Sequence, residues 1–158
     1  MTQRVELATV RDRLAVDELV TDYAVAVDDG DWESYRRLFT ADGRADHRAA
    51  GGIEGDARAV AGWLAERFAQ FPVRQHLFVN RRIRLGPWEG DTGDTAGVRA
   101  DYVLPAGRAG KAGAAAGLDL LSGGRCDFSM LRTDDGWRLT RVVVREKWRR
   151  LSGSGRMM

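Results

Sequence analysis

The spacing of apolar positions changes about half-way along the 158-residue chain. In the first half these positions recur every three or four residues. Leu14, Leu19, Val20, Tyr23, Ala24 and Val27 predict a helix from Val10 to Val27, with Thr9 and Asp12 as its capping signal. Asp28-Asp29-Gly30-Asp31 ends that helix, and Asp31 is suited to cap a short second one carrying Trp32, Tyr35, Leu38 and Phe39. Thr40-Ala41-Asp42-Gly43 reads as a turn, Arg44 to Arg48 as a short strand and Gly51-Gly52 as a loop. A third helix, capped by Asp56, runs on to Phe71 with Val60, Trp63, Leu64, Phe68 and Phe71 on its apolar side, and Pro72 ends it.

From Gln75 the period becomes two. Leu77, Val79, Ile83 and Leu85 alternate with His76, Phe78, Asn80, Arg82 and Arg84, which predicts a strand from Gln75 to Leu85 with those two sets on opposite faces. Thr95 to Leu104, Arg125 to Arg132 and Trp137 to Trp148 repeat the pattern, and Thr133-Asp134-Asp135-Gly136 makes a hairpin turn between the last two. Three helices followed by strands imply an α+β domain, with the helices packed on one face of a mostly antiparallel sheet. Pro105 to Gly124, rich in Gly and Ala, reads as a loop, with a lid as the functional alternative. The expected organisation is one domain over residues 1–151 and a flexible tail over 152–158.

Composition narrows the function classes. Hydrophobic residues make up 44% and charged residues 30%, an ordinary globular balance with no apolar run long enough for a membrane span. The pI near 9.0 raises the question of nucleic acid. The 25 cations are interleaved with 23 acids, however, and almost all are arginine, so no basic block results. Cys126 is the one cysteine, which excludes an internal disulfide and fits a reducing compartment. In a strand it reads as a small apolar filler. No secretory signal opens the chain. A cytoplasmic protein with no membrane and no nucleic-acid partner is the expectation.

Metal, phosphate-loop and serine-elbow chemistry lack their spacing. Two histidines and one cysteine form no paired ligand motif, although Asp46-His47 near Asp28 is a conceivable histidine–carboxylate cluster. Gly51-Gly52 does not continue into a dinucleotide fingerprint, and Ser122-Gly123-Gly124 lacks a strand-to-helix elbow. Acid–base chemistry remains. Asp28 at the end of the first helix sits at the negative end of the helix dipole, and a histidine partner would offset that placement. His76 shares a strand face with Phe78 and Asn80. An Asp–His pair fixes the imidazole tautomer and leaves one ring nitrogen free to move a proton. Read alone, His76 is equally a structural strand residue, and Asp28 to Asp31 a plain turn.

Four segments in order carry a resemblance: Tyr23 to Trp32, Leu38 to Gly43, Gln75 to Asn80, and Leu131 to Leu139. With these the chain resembles the SnoaL-like and scytalone dehydratase-like branch of the nuclear transport factor 2-like superfamily. That resemblance implies a cone-shaped domain whose curved sheet and helices enclose a pocket. It implies Asp28 and His76 as the catalytic pair, places His47 where a pocket tyrosine stands, and sets Asp127 at a pocket asparagine. The sequence departs from that enzyme near Pro105-Ala106, where a second histidine is expected, and at Val27, where a tyrosine is expected. Both histidines of the chain, His47 and His76, thus fall at implied pocket positions.

The resulting expectation is a cofactor-independent acid–base enzyme, a dehydratase or related lyase, or else a cyclase or isomerase, acting on a hydrophobic oxygenated ring or polyketide-like molecule. Asp28, His76 and His47 are the candidate catalytic residues. Tyr23, Trp63, Phe78, Asn80, Tyr102 and Asp127 are the candidate substrate contacts, and no metal is expected. The alternative is a non-catalytic ligand-binding or oxygenase-small-subunit-like domain. A third reading, water activation by Asp28, Asp101 and Asp127 with Arg125, stays open. By resemblance the protein forms a homodimer or higher homo-oligomer.

Overall fold

The computed structural model describes residues 2–86, 93–109 and 117–152. In chain order the elements are α1 (Thr2–Asp29), α2 (Trp32–Arg37), β1 (Phe39–Ala49), β2 (Glu54–Asp56), α3 (Ala57–Phe68), β3 (Val73–Arg74), β4 (Leu77–Leu85), β5 (Thr95–Gly107), β6 (Leu120–Thr133) and β7 (Gly136–Leu151). One sheet runs β2-β1-β7-β6-β5-β3, with β4 beside β5 on the same side as β3. Every pairing is antiparallel except β1 with β7. The helices and the curled sheet form an α+β cone and share one hydrophobic core.

α1 supplies the inner wall. Val16, Leu19, Val20, Tyr23, Ala24 and Val27 form its buried stripe and face β4, β5 and β7. It begins well before Val10. Thr9 lies inside the helix, and Asp12 takes Arg132 instead, accepting from Nη1 at 2.9 Å and Nη2 at 2.6 Å. The start signal failed because Asp12 makes a long-range ion pair that no local spacing reveals. The two later caps form as expected: Asp31 accepts from the Ser34 N–H at 3.1 Å, and Asp56 from the Ala59 N–H at 2.8 Å. α3 stops at Phe68, not Phe71, because the residue before Pro72 is driven out of helical geometry.

Two expectations of loop or turn become strand. Thr40 to Gly43 bulges within β1, where the four residues between Phe39 and Arg44 oppose one residue, Thr140, on β7. The Gly/Ala-rich segment is a loop only in part: β5 continues to Gly107 and β6 starts at Leu120, with Ala106 opposite Leu120 and Leu104 opposite Ser122. Its centre, residues 110–116, and with it the lid reading, lies outside the described residues. So does the tail beyond 152, while β7 itself extends to Leu151.

A bulge also divides β4. Val79 pairs with Asp101 and Arg82 with Arg99, so β4 carries one extra residue there, and Asn80 adopts a φ of 51°. The expected single alternation over Gln75 to Leu85 therefore changes face half-way. Phe78 points inward before the bulge, Ile83 and Leu85 pack inward after it, and Leu77 and Val79 are exposed. Arg81 fastens the bulge to α1 through the Asp17 carbonyl and carboxylate and the Thr21 hydroxyl.

Candidate active site

The end of α1 is held from two sides. Gly30, with φ 67°, closes the helix as the N–H of Asp31 reaches the Ala26 carbonyl at 2.9 Å and its own N–H reaches Val27 at 3.2 Å. The Arg74 guanidinium then donates to the Val27 carbonyl from Nε at 2.9 Å and Nη2 at 2.7 Å, and to the Phe71 carbonyl from Nη1 at 3.1 Å. A cation on the last carbonyls offsets the negative helix end, which favours placing a carboxylate one residue further on.

That carboxylate is Asp28. Its Oδ2 accepts the backbone N–H of His76 at 2.8 Å and its Oδ1 lies 2.5 Å from His76 Nδ1. His76 occupies the step between β3 and β4 and is not itself in a strand. An ionised carboxylate only accepts hydrogen bonds, so Nδ1 carries the proton and Nε2 is left as the basic nitrogen. The imidazole stacks on Phe78 at 5.9 Å and meets the edge of Phe68 at the same distance, which fixes its plane.

His76 lines a narrow cavity that is partly open to solvent. Leu64, Phe68, Phe78 and Leu104 give it apolar walls; Tyr23, His47, Arg67, Tyr102, Ser122 and Glu146 supply the polar groups. His47 comes from β1 and packs against Trp63 at 5.3 Å between ring centroids. Gly52 permits that packing, since a Cβ there would lie 2.4 Å from the Trp63 ring and 2.9 Å from His47 Cβ. His47 is 7% exposed, and among the described residues its Nε2 has no hydrogen-bond partner. Burial, followed by the nearby His76 and Arg67 charges, pushes its pKa down to about 4, so the ring is neutral at pH 7. Burial likewise raises the Tyr23 and Tyr102 phenols, which stay protonated donors.

The structure thus gathers helices α1 and α3 and strands β1, β4, β5, β6 and β7 around one paired imidazole. A profile of the SnoaL-like domain matches residues 8–143. The chain belongs to the SnoaL-like family. This SnoaL-like protein is 34% identical over 137 residues to the uncharacterised protein Rv2910c of Mycobacterium tuberculosis, a match spanning 87% of this chain and 86% of that one. Among solved structures it is similar to Kfla4162 of Kribbella flavida, with a TM-score of 0.74 and 20% identity over 90% of this chain and 95% of that one. Hexachlorocyclohexane dehydrochlorinase LinA-type3 from Novosphingobium barchaimii gives a TM-score of 0.72 and 15% identity over 97% and 98% of the two chains. The fold is also similar to that of an NTF2-like protein with a cystatin-like fold from Novosphingobium aromaticivorans, with a TM-score of 0.66 and 22% identity over 97% of this chain and 90% of that one.

Of the residues singled out in its sequence, the SnoaL-like cavity brings together Asp28, His76, His47, Tyr23, Trp63, Phe78 and Tyr102. Asn80 and Asp127 stand elsewhere. The β4 bulge turns Asn80 outward, where its amide donates to Asp101 at 3.0 Å. Asp127 lies between the inward-facing Cys126 and Phe128, so strand alternation sends it to the outer face, where Arg99 and Arg145 hold it. Asp101 pairs there with Arg125, so the carboxylate cluster needed for water activation is not assembled in the cavity. Asp46 faces Arg48 and Arg141, away from Asp28, and no three metal-ligand side chains converge among the described residues.

Sequence reasoning missed Arg67, Glu146 and Ser122. The signals were present: Arg67 follows Trp63 by four residues and so shares its helix face, and Glu146 follows Val142 and Val144 at the strand period. Ser122 lay in the segment read as loop.

His47 also makes stability depend on pH. Its pKa falls from 6.5 to about 4 on folding, so between those values the unfolded chain binds more protons and stability drops as pH falls. At about 1.4 kcal/mol per pH unit, roughly 3 kcal/mol is lost by pH 4. Urea unfolding at pH 7 and pH 4.5 should show a loss of about 2 kcal/mol in the native chain and a much flatter profile in His47→Gln. Equal slopes in the two would mean that His47 is not buried as a neutral ring.

Proposed function

We propose that this SnoaL-like protein is a cofactor-independent acid–base enzyme that removes a proton next to a carbonyl in a hydrophobic, oxygenated ring or polyketide-like molecule, and expels water from it. The observation that carries the reading is the two-point seat of His76 on Asp28, which leaves Nε2 as a base at an apolar cavity wall. In the step proposed, the carbon-bound proton passes to Nε2 and its electron pair forms the carbon–carbon double bond. The C–O bond to the leaving hydroxyl breaks, and that oxygen takes the proton back from the imidazolium to leave as water. Asp28 stabilises the intervening imidazolium. Neutral His47 and the protonated phenols of Tyr23 and Tyr102 are donors suited to a carbonyl oxygen that gains charge. Returning the proton to a different carbon instead gives isomerisation, so one base serves both outcomes.

Incubation of β-hydroxy aryl ketones in deuterium oxide tests the proposal directly. The protein should place deuterium at the carbon next to the carbonyl and release water from substrates with a β-hydroxyl. A panel that shows neither exchange nor elimination, while still binding, would favour the ligand-binding alternative.

A further inference from the structure

The cavity carries a positive charge that the chemistry above does not use. Arg67 reaches it from α3, one turn after Trp63, with its guanidinium carbon 5.3 Å from the Trp63 ring centre. It is partly buried, and among the described residues it makes no hydrogen bond or ion pair. Arg44, Arg81, Arg99, Arg125, Arg132 and Arg145, by contrast, each meet a carboxylate. The carboxylate that shares the cavity with Arg67 belongs to Glu146, and it is already engaged. Arg149 donates to its Oε2 from Nε at 3.1 Å and Nη2 at 3.0 Å, and reaches the Ala50 carbonyl from Nη2 at 3.1 Å. The Arg149–Glu146 pair cancels internally and leaves Arg67 as the uncompensated charge at this end. A cation withdrawn from water without a counter-ion is unfavourable by itself, and an anion arriving with a ligand would offset that.

We propose that Arg67 is the anion-binding end of the cavity, and that the natural ligand bears an oxyanion, carboxylate or phenolate, on the part of its skeleton remote from the proton that His76 removes. The inference deepens the acid–base reading and rests on it for the orientation of the ligand. The guanidinium fork, placed over the Trp63 ring, matches two carboxylate oxygens or one phenolate oxygen with a water. With the anion at Arg67, the apolar middle of the ligand lies along Phe68 and Phe78, and its reacting carbon comes to His76.

Binding of four probes decides it: 2-naphthoate against 2-naphthamide, and 4-nitrophenolate against 4-nitroanisole, followed by tryptophan fluorescence and calorimetry at low salt. At least one anion should bind about tenfold tighter than its neutral counterpart, and which anion does so separates carboxylate from phenolate ligands. Arg67→Gln should reduce the preference to less than about twofold with the neutral probes unaffected, and Arg67→Lys should keep part of it. His76→Ala should keep all of it, because holding the anion does not require the base. Equal binding of anions and neutral probes, no anion binding at millimolar concentration, survival of the preference in Arg67→Gln, or its loss in His76→Ala would each overturn the proposal. Failure of the deuterium test with the anion preference intact would remove the acid–base reading and leave Arg67 as a binding group.

Discussion

Asp28→Asn should be almost as damaging as His76→Ala, with both lowering kcat/KM for proton removal by about a thousandfold or more. The reason lies in the two hydrogen bonds that Asp28 accepts. The backbone N–H of His76 donates to one oxygen and cannot turn away, so an asparagine must offer its carbonyl oxygen there. Its NH₂ group then faces Nδ1. Nδ1 becomes the acceptor, the ring proton moves to Nε2, and the nitrogen at the cavity is no longer a base. The shape of the site hardly changes, so the melting temperature of Asp28→Asn should stay within a few degrees of the native chain, which separates loss of chemistry from loss of fold. Asp28→Ala removes the acceptor without imposing the wrong tautomer and should be the milder change. An Asp28→Asn variant retaining a third of the native rate, or one less impaired than Asp28→Ala, would rule out His76 Nε2 as the base.

That the pair could be named from the sequence follows from its local chemistry. Asp28 stands where a helix must end, and His76 begins a period-two run, so both positions were marked by backbone signals before any contact was known. The pairing itself came from the family resemblance, since a separation of 48 positions along the chain hides it from any local reading. Asn80 and Asp127 show the limit of that approach. Strict alternation put Asn80 on the His76 face, but a single extra residue in β4 reverses the faces, and nothing in Val79-Asn80-Arg81-Arg82 announces it. Asp127 was carried over by position, whereas the burial of Cys126 and Phe128 on either side decides its direction. Arg67 was passed over for the opposite reason: a charged residue on an apolar helix face reads as a boundary of the stripe, yet here the stripe and the cavity are the same surface.

Glycine was misread in the same region, and the correction makes a sharp prediction about stability. Gly123 and Gly124 looked like loop residues because they lack side chains to pack. In the structure they are strand residues whose missing side chains are required. A Cβ on Gly123 would lie 2.2 Å from the Trp148 ring, and one on Gly124 would lie 2.0 Å from the Arg145 carbonyl oxygen and 2.9 Å from Glu146 Cα. β7 accommodates this approach with a bulge, since Gly123 pairs with Trp148 but Gly124 with Glu146. Trp148 is a movable ring at an exposed site, whereas Arg145 offers backbone that both neighbouring strands hold. Gly124→Ala should therefore destabilise the protein by about 3 kcal/mol, at the upper end of what overpacking costs, and lower its melting temperature by roughly 6–12 °C. Gly62→Ala is the matched control. A Cβ there meets nothing within 4 Å, and the position is in the interior of α3, so the same chemical change should stabilise by about 0.5–1 kcal/mol. Opposite signs, read from urea unfolding at one pH, would follow from a strand packed against backbone at Gly124. Two effects of equal sign, or a Gly124→Ala loss below about 0.5 kcal/mol, would return that segment to the loop its composition suggested.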